Sequence, residues 1–405
     1  MTEKNNLKAS EEKKVLKGLF PIDRFQSLKT PFYYYDLDIL RATLDEIKEQ
    51  PKKDGFVVHY ALKANVNPEI LRTIRERGLG ADCVSGGEVE AALKAGIPAS
   101  KIVFAGVGKA DWEINLGLDN DIFCFNVESV PELEVINELA AAKGKTARIA
   151  LRINPNVSAH THHYITTGLN ENKFGINMSD IDKVIDLLPA LNNVKLAGVH
   201  FHIGSQITDM EPFRELCVRV NEIQQHFLSR RIVLEHVNVG GGLGIDYEHP
   251  DDSSIPAFKS YFEIFRRHLR LQPGQTLHFE LGRSIVAQCG SLISRTLYVK
   301  EGATKSFVIL DAGFTELIRP ALYQAYHKIE NLTSDLPEKE YDVVGPICES
   351  SDTFAKAYAL NETKRGDIIA LRSAGAYGEI MASQYNLRKL PEAYTSIDTA
   401  VSGLA

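Results

Sequence analysis

Eight short apolar runs, all but the last followed by a stretch of helical period, constrain this chain more than any other feature. The runs are FVVHYAL (56–62), GADCV (80–84), IVFAG (102–106), IFCFN (122–126), ARIALRI (147–153), LAGVHFHI (196–203), LEHVNVG (234–240) and TLHFEL (276–281). A strand that is apolar throughout, instead of alternating, is covered on both faces. Segments such as PEILRTIRERG (68–78), GEVEAALKAG (87–96) and PELEVINELAAAKG (131–144) supply that cover, with Gly78, Gly96 and Gly144 as left-handed C-caps. Strand and helix in eightfold alternation is the pattern of a (β/α)8 TIM-like barrel; a doubly wound open sheet is the structural alternative.

After about residue 285 the rhythm changes. GSLISRTLYVKEG, KSFVILDAG, EYDVVGPICES and GDIIALRSAG read as strands without intervening helices. The expected organisation is therefore a barrel over 31–285 and a β-rich domain formed by 1–30 and 286–405. A chain of 405 residues is long enough for two domains. Its net charge of −7, with no basic block, argues against a nucleic-acid or anionic-membrane partner. The charged opening MTEKNNLKASEEKKVLKG has no apolar segment of a secretory signal. The five cysteines are scattered without a CxxC pair, as expected of reduced thiols in a cytoplasmic protein, and no metal site is expected.

Several motifs sit at the C-terminal ends of the expected strands, where barrels place their chemistry. In HYALKANVN (59–67), Lys63 ends the first strand. A lysine enclosed there loses solvation, its pKa is expected to fall, and its neutral amine suits a Schiff base; a solvated loop lysine is the plain reading. In VNVGGGLGIDY (237–247), Gly240, Gly241 and Gly242 let an anion approach the backbone, or make a tight turn. In HFELGRS (278–284), Glu280 is suited to a protonated ring nitrogen and the pair Gly282 and Arg283 to a phosphate, although Glu280 and Arg283 also make a plausible ion pair. In GVHFHIGSQ (198–206), His200 and His202 share a face as a metal pair, a stacking surface for a planar cofactor, or core histidines; Ser205 is a candidate phosphate donor. Arg319 and Tyr323 are four apart and able to share a target. Cys348 and Glu349 follow a Gly-Pro break and read alone as a surface loop, and Tyr377 sits in a glycine-flanked turn.

Taken together and in this order, the motifs resemble the fold-type III pyridoxal-phosphate-dependent decarboxylases, over nearly the whole chain. YALKAN, SGGE (85–88), THHYITTG with NKFG (161–168, 172–175), HFHIGSQ, GGGLG, LIRPALY, CES and AGAYG are most similar to the branch acting on meso-diaminopimelate. Related decarboxylases of ornithine, lysine, arginine or carboxynorspermidine are the alternative; a catalytically dead relative or a cofactor-free sugar-phosphate barrel would not need Lys63 and Glu280 together. The resemblance implies pyridoxal 5'-phosphate on Lys63, with His202 stacked on its ring. It implies Glu280 at the ring nitrogen, and Ser205, Gly240, Gly241, Gly242, Gly282, Arg283 and Tyr377 in cofactor binding. It further implies that Arg283, Arg319, Tyr323 and Tyr377 hold the substrate, and that Glu349 takes its remote ammonium. Cys348 would be a proton donor reaching the other subunit of a homodimer. The chain departs from the family where Leu281 replaces its usual proline, which restores a backbone N–H.

Overall fold

The computed structural model describes residues 20–50, 55–157 and 173–400. The THHYITTG motif, Asn172 of the NKFG motif and residues 1–19 lie outside the described residues. The first strand is β1 (Phe32–Tyr35). Eight more follow: β2 (Val57–Ala61), β3 (Gly80–Cys83), β4 (Ile102–Phe104), β5 (Cys124–Val127), β6 (Ala147–Arg152), β7 (Val194–His200), β8 (His236–Asn238) and β9 (Thr276–Leu281). They pair in sequence order, all parallel, and β9 returns to β2 to close a barrel. This is the expected TIM-like barrel. The helices between the strands bury one stripe each. In Pro68–Glu76, Asn67 caps the first turn by accepting from the Glu69 N–H, Ile70, Leu71 and Ile74 face inward, and Gly78 at φ +81° ends the run.

The barrel interior is polar along much of its length. His59, His236 and His278 stack near its N-terminal end, with ring centroids 5.0–5.1 Å apart for the two pairs made by His278. Gly198 faces His236, and a Cβ at Gly198 would come within 2.6 Å of the imidazole, so the missing side chain makes room for the ring. His59 Nε2 and His278 Nδ1 share a 2.8 Å hydrogen bond, whereas neither nitrogen of His236 has a partner among the described residues. One layer higher stand Asn126, His200, Asn238 and Glu280, all buried.

The remaining strands are β10 (Gly290–Glu301), β11 (Ser306–Leu310), β12 (Ile329–Asn331), β13 (Glu338–Val344), β14 (Thr353–Asn361), β15 (Ile368–Leu371) and β16 (Glu392–Thr395). They form a separate sheet in the order β12-β15-β10-β11-β13-β14, with β1 pairing both β10 and β16. The expected barrel start at residue 31 therefore moves: Phe32–Tyr35 belongs to the sheet, antiparallel to β10 and parallel to β16. The reason is the period of two. Phe32 and Tyr34 pack with Phe25, Ile293, Ile368 and Ala370, while Tyr33 and Tyr35 turn to the other face and join the core shared with the barrel.

Asn65 fastens the two parts. Its side-chain amide donates to the Tyr35 hydroxyl at 2.8 Å and to the Gly375 carbonyl at 2.9 Å. Its own carbonyl accepts from Tyr60. No described helix is long and apolar enough to cross a membrane.

The imidazole layer makes stability pH-dependent. Burial, then Arg148 and His59, push the His236 ring down to about 3, against roughly 6.5 in an unfolded chain. Between those values the unfolded chain binds a proton that the folded one refuses, so stability is lost as pH falls from about 6.5. In urea unfolding at pH 7.5 and 5.5, His236→Asn is expected to lose less of its midpoint than the natural chain; an equal loss would count against this account.

Candidate active site

The chain leaves β2 through a single 3-10 turn, Leu62–Ala64, that carries Lys63. The turn is pinned from the sheet side, because the Tyr377 N–H donates to the Ala64 carbonyl at 2.8 Å. Tyr377 takes φ +57° to do so. Lys63 thereby extends into a cavity of about 370 Å³ at the C-terminal mouth of the barrel. Lys63 is exposed by surface area, and it lines that cavity.

Ten of the residues expected from the sequence line this one space: Lys63, His202, Ser205, Gly242, Glu280, Gly282, Arg283, Arg319, Tyr323 and Tyr377. Gly240 and Gly241 lie beneath it, where β8 and β9 end against each other. A Cβ at Gly241 would stand 1.9 Å from the Glu280 carbonyl oxygen, and one at Gly240 2.3 Å from that of Phe201. The Gly240 N–H donates to Asn238, and its carbonyl accepts from the Glu280 N–H at 2.8 Å. The glycines are thus required by backbone contact, and that contact brings Glu280 to its position. Leu281, the last residue of β9, is fully buried and pairs with Tyr60 of β2, so the strand runs up to Gly282 without a proline. Cys348 and Glu349 are not at this cavity. Both are exposed, on a loop whose backbone is held by the buried Asp352 through the N–H groups of Phe314 and Ile347. Glu349 accepts from the Tyr385 hydroxyl at 2.9 Å.

Glu280 collects three donors. Asn126 and Asn238 donate to one oxygen at 3.0 and 2.7 Å, and His200 Nε2 meets the other at 2.8 Å. Burial works to raise its pKa, but the imidazoles around it, His200 foremost, hold the carboxyl well below its usual range. Beside it, burial and then Lys63 and Arg152 push His202 well below its usual value, so it presents a neutral ring. For Lys63 the expected fall in pKa is reversed. Burial pulls it down, yet Tyr377, Asp82 and Glu280 together raise it above the ordinary lysine value. Enclosure here comes with acidic neighbours, and their attraction outweighs desolvation.

The cavity lining also holds two cations, Arg283 and Arg319. Arg283 donates to Ser205 at 3.0 Å and to the Tyr247 hydroxyl at 2.6 Å, and its guanidinium lies 4.9 Å from the Tyr377 ring centre. Arg319 lies 5.1 Å from the Tyr247 ring centre, so both buried arginines lie against one tyrosine. Burial raises the Tyr247 pKa, but Arg283 and Arg319 bring it below the usual tyrosine value. Tyr247, Asn126 and Asn238 had no role in the sequence reading. Tyr247 closes the glycine motif, and the two asparagines are polar residues at the ends of buried strands, which is a usable signal.

An enclosed amine, a buried anionic carboxylate, a flat neutral imidazole and a glycine turn beside Ser205 and Arg283 form one set. They fit a planar aldehyde that carries a ring nitrogen and a phosphate. Among the described residues no cluster suited to a metal ion occurs.

The chain matches the family model described as pyridoxal-dependent decarboxylase, pyridoxal binding domain, over residues 38–287. It is 67% identical to the diaminopimelate decarboxylase of Bacteroides thetaiotaomicron, covering 94% of this chain and 99% of that one. It is 39% identical to the diaminopimelate decarboxylase of Aquifex aeolicus, covering 90% and 86%. The crystal structure of diaminopimelate decarboxylase from Helicobacter pylori complexed with L-lysine superposes with a TM-score of 0.87 at 43% identity, covering 92% and 93%.

The glycine contacts generate a test. Gly241→Ala must move the Glu280 carbonyl and is expected to weaken pyridoxal phosphate binding at least about tenfold, a difference of ~1.4 kcal/mol. Gly108→Ala, where a Cβ meets nothing within 4 Å, is expected to bind normally. Equal affinities by equilibrium dialysis would show that the cradle does not need the bare backbone.

Proposed function

The chain belongs to the pyridoxal-dependent decarboxylases, and from that premise we propose that it converts meso-2,6-diaminopimelate to L-lysine and carbon dioxide, the closing step of lysine biosynthesis. The observation that carries this reading is the charge pattern of one cavity, whose lining holds Lys63 and Glu280 together with two buried arginines, Arg283 and Arg319. Ornithine, lysine or arginine would bring only an amine or guanidine to the far end. Diaminopimelate brings a carboxylate there, which a guanidinium binds as a planar fork. The Helicobacter pylori neighbour was crystallised with L-lysine, the product of this reaction.

Pyridoxal phosphate, when bound, supplies an aldehyde that condenses with amines and a ring that accepts the electron pair left as carbon dioxide departs. The chain's residues do the rest. The Lys63 amine would hold the cofactor through its aldehyde. Glu280, kept anionic by its three donors, holds a proton on the ring nitrogen. His202 offers a flat neutral face to the ring. Ser205, the glycine turn 240–242, Gly282, Arg283 and Tyr377 take the phosphate. Arg319 and Tyr323, with Arg283 and Tyr377, orient the substrate by its remote carboxylate.

Cys348 and Glu349 act from a second copy of the chain, which makes the working unit a homodimer. Their exposure away from the cavity of their own chain supports this. So do the exposed apolar residues nearby: Leu322 and Tyr326 beside the mouth, and Leu387 beside Tyr385, the partner of Glu349. Glu349 takes the remote ammonium, and the Cys348 thiol returns a proton to the carbon that has lost its carboxylate.

Two tests follow. Turnover with added pyridoxal phosphate is expected on meso-diaminopimelate, with L-lysine as product, and to be far lower on ornithine, lysine, arginine and carboxynorspermidine; comparable rates would remove the substrate assignment. Borohydride trapping is expected to label Lys63 and to fail in Lys63→Ala, whereas Cys348→Ala keeps its cofactor and slows about 10²–10⁴-fold, the usual worth of a general acid. A label elsewhere, or full activity without the thiol, would overturn the respective role.

A further inference from the structure

Arg319 begins the short helix Arg319–Tyr323 and is 5% exposed, close to a second buried cation, Arg283. No carboxylate pairs with it among the described residues. Besides the Tyr247 hydroxyl, its directed side-chain acceptor among the described residues is His327, whose Nε2 lies 3.0 Å from Arg319 Nη1. His327 is itself buried, and its Nδ1 lies 2.8 Å from the Arg372 carbonyl oxygen. A carbonyl only accepts, so Nδ1 carries the ring proton, and Nε2 is left with a lone pair aimed at the guanidinium.

The far side of this arrangement is rigid. The Arg372 N–H donates to the Lys328 carbonyl, and the Arg372 guanidinium is tied to Asp251 at 2.7 Å and Glu330 at 2.5 Å. The Tyr247 ring stands edge-on to His327 at 5.3 Å, and Arg319 lies against the same tyrosine. His327 thus sits between a fixed carbonyl and a guanidinium that reaches the cavity, and it does not line the cavity itself.

The chemistry of the acceptor is the informative part. A glutamate or aspartate at this position would orient Arg319 as well, but it would also neutralise it. The remote carboxylate would then meet a cation already paired. An imidazole with its proton on Nδ1 accepts without carrying charge. We propose that His327 is a positioning residue for substrate selection: a neutral acceptor that aims Arg319 at the remote carboxylate while leaving its positive charge available. This rests on the assignment of Arg319 to that carboxylate. It adds the reason the cation is both fixed in direction and unpaired. Burial, followed by Arg319, also keeps the imidazole neutral, pushing it down to about 3.

The test uses the holoenzyme and two ligands that differ only in the remote carboxylate: L-lysine, which has it, and 1,5-diaminopentane, which lacks it. Affinities are read from the change in cofactor absorption. The natural chain is expected to prefer L-lysine. His327→Ala and His327→Glu are expected to lose about tenfold or more of L-lysine affinity, the scale of one hydrogen bond to a charged group. Both should bind diaminopentane as before, with KM for diaminopimelate raised and kcat within about twofold, since the loss is of binding held equally in ground and transition states. His327→Gln, a neutral acceptor, is expected to recover most of the loss. Three results would overturn the proposal: both ligands weakened alike, His327→Glu binding L-lysine as well as His327→Gln, or no change in His327→Ala. A natural chain without preference for L-lysine would instead remove the role of Arg319, a separate failure.

Discussion

A carboxylate buried at the centre of a barrel survives as an anion only if the surrounding strands feed it hydrogen-bond donors, and Glu280 is that carboxylate. Its donors come from three other strands: Asn126 from β5, Asn238 from β8 and His200 from β7. Because strand side chains alternate with a period of two, each donor is inward-facing only in one register of its strand. A slip by one residue would turn an amide outward and leave the charge short of a partner. The polar layer therefore specifies how the barrel closes, and the closed barrel keeps the anion in place.

The glycine turn shows the same dependence from the side of the main chain. Glu280 reaches its layer because its N–H is bonded to Gly240 and its carbonyl lies over Gly241, with no side chain between them. The glycine turn and the buried carboxylate are thus two parts of one contact between β8 and β9. In the same cavity, Arg283 and Arg319 both lie against the single ring of Tyr247. The one pocket thus brings together an anion, Glu280, and two buried cations.

The barrel was legible in the sequence because strands covered on both faces need continuous apolar runs, and helices around them need a 3.6 period; both signals are local. The sheet was legible only as a change of rhythm. Phe32–Tyr35 was placed on the wrong side of the boundary because its partners lie more than 250 residues away, at Ile293 and Glu392–Thr395. Lys63, Glu280 and the glycine turn could be picked out because each ends a strand. The direction of the Lys63 pKa could not be, since it depends on Asp82 and Tyr377, brought near only by the fold. His327 lies just beyond the LIRPALY motif, yet only the carbonyl of Arg372 reveals which of its nitrogens holds the proton.

The pairing of β1 has a consequence for how the chain is made. This strand is four aromatic residues in a row, Phe32, Tyr33, Tyr34 and Tyr35, all buried in the finished molecule. On the ribosome it emerges first, but its antiparallel neighbour at Gly290–Ile293 emerges only after the entire barrel, and its parallel neighbour later still. At ordinary elongation rates of roughly 5–20 residues per second, that is a wait on the order of tens of seconds with a greasy, β-prone stretch unpartnered. Until the last strands arrive, this segment has none of its native β partners.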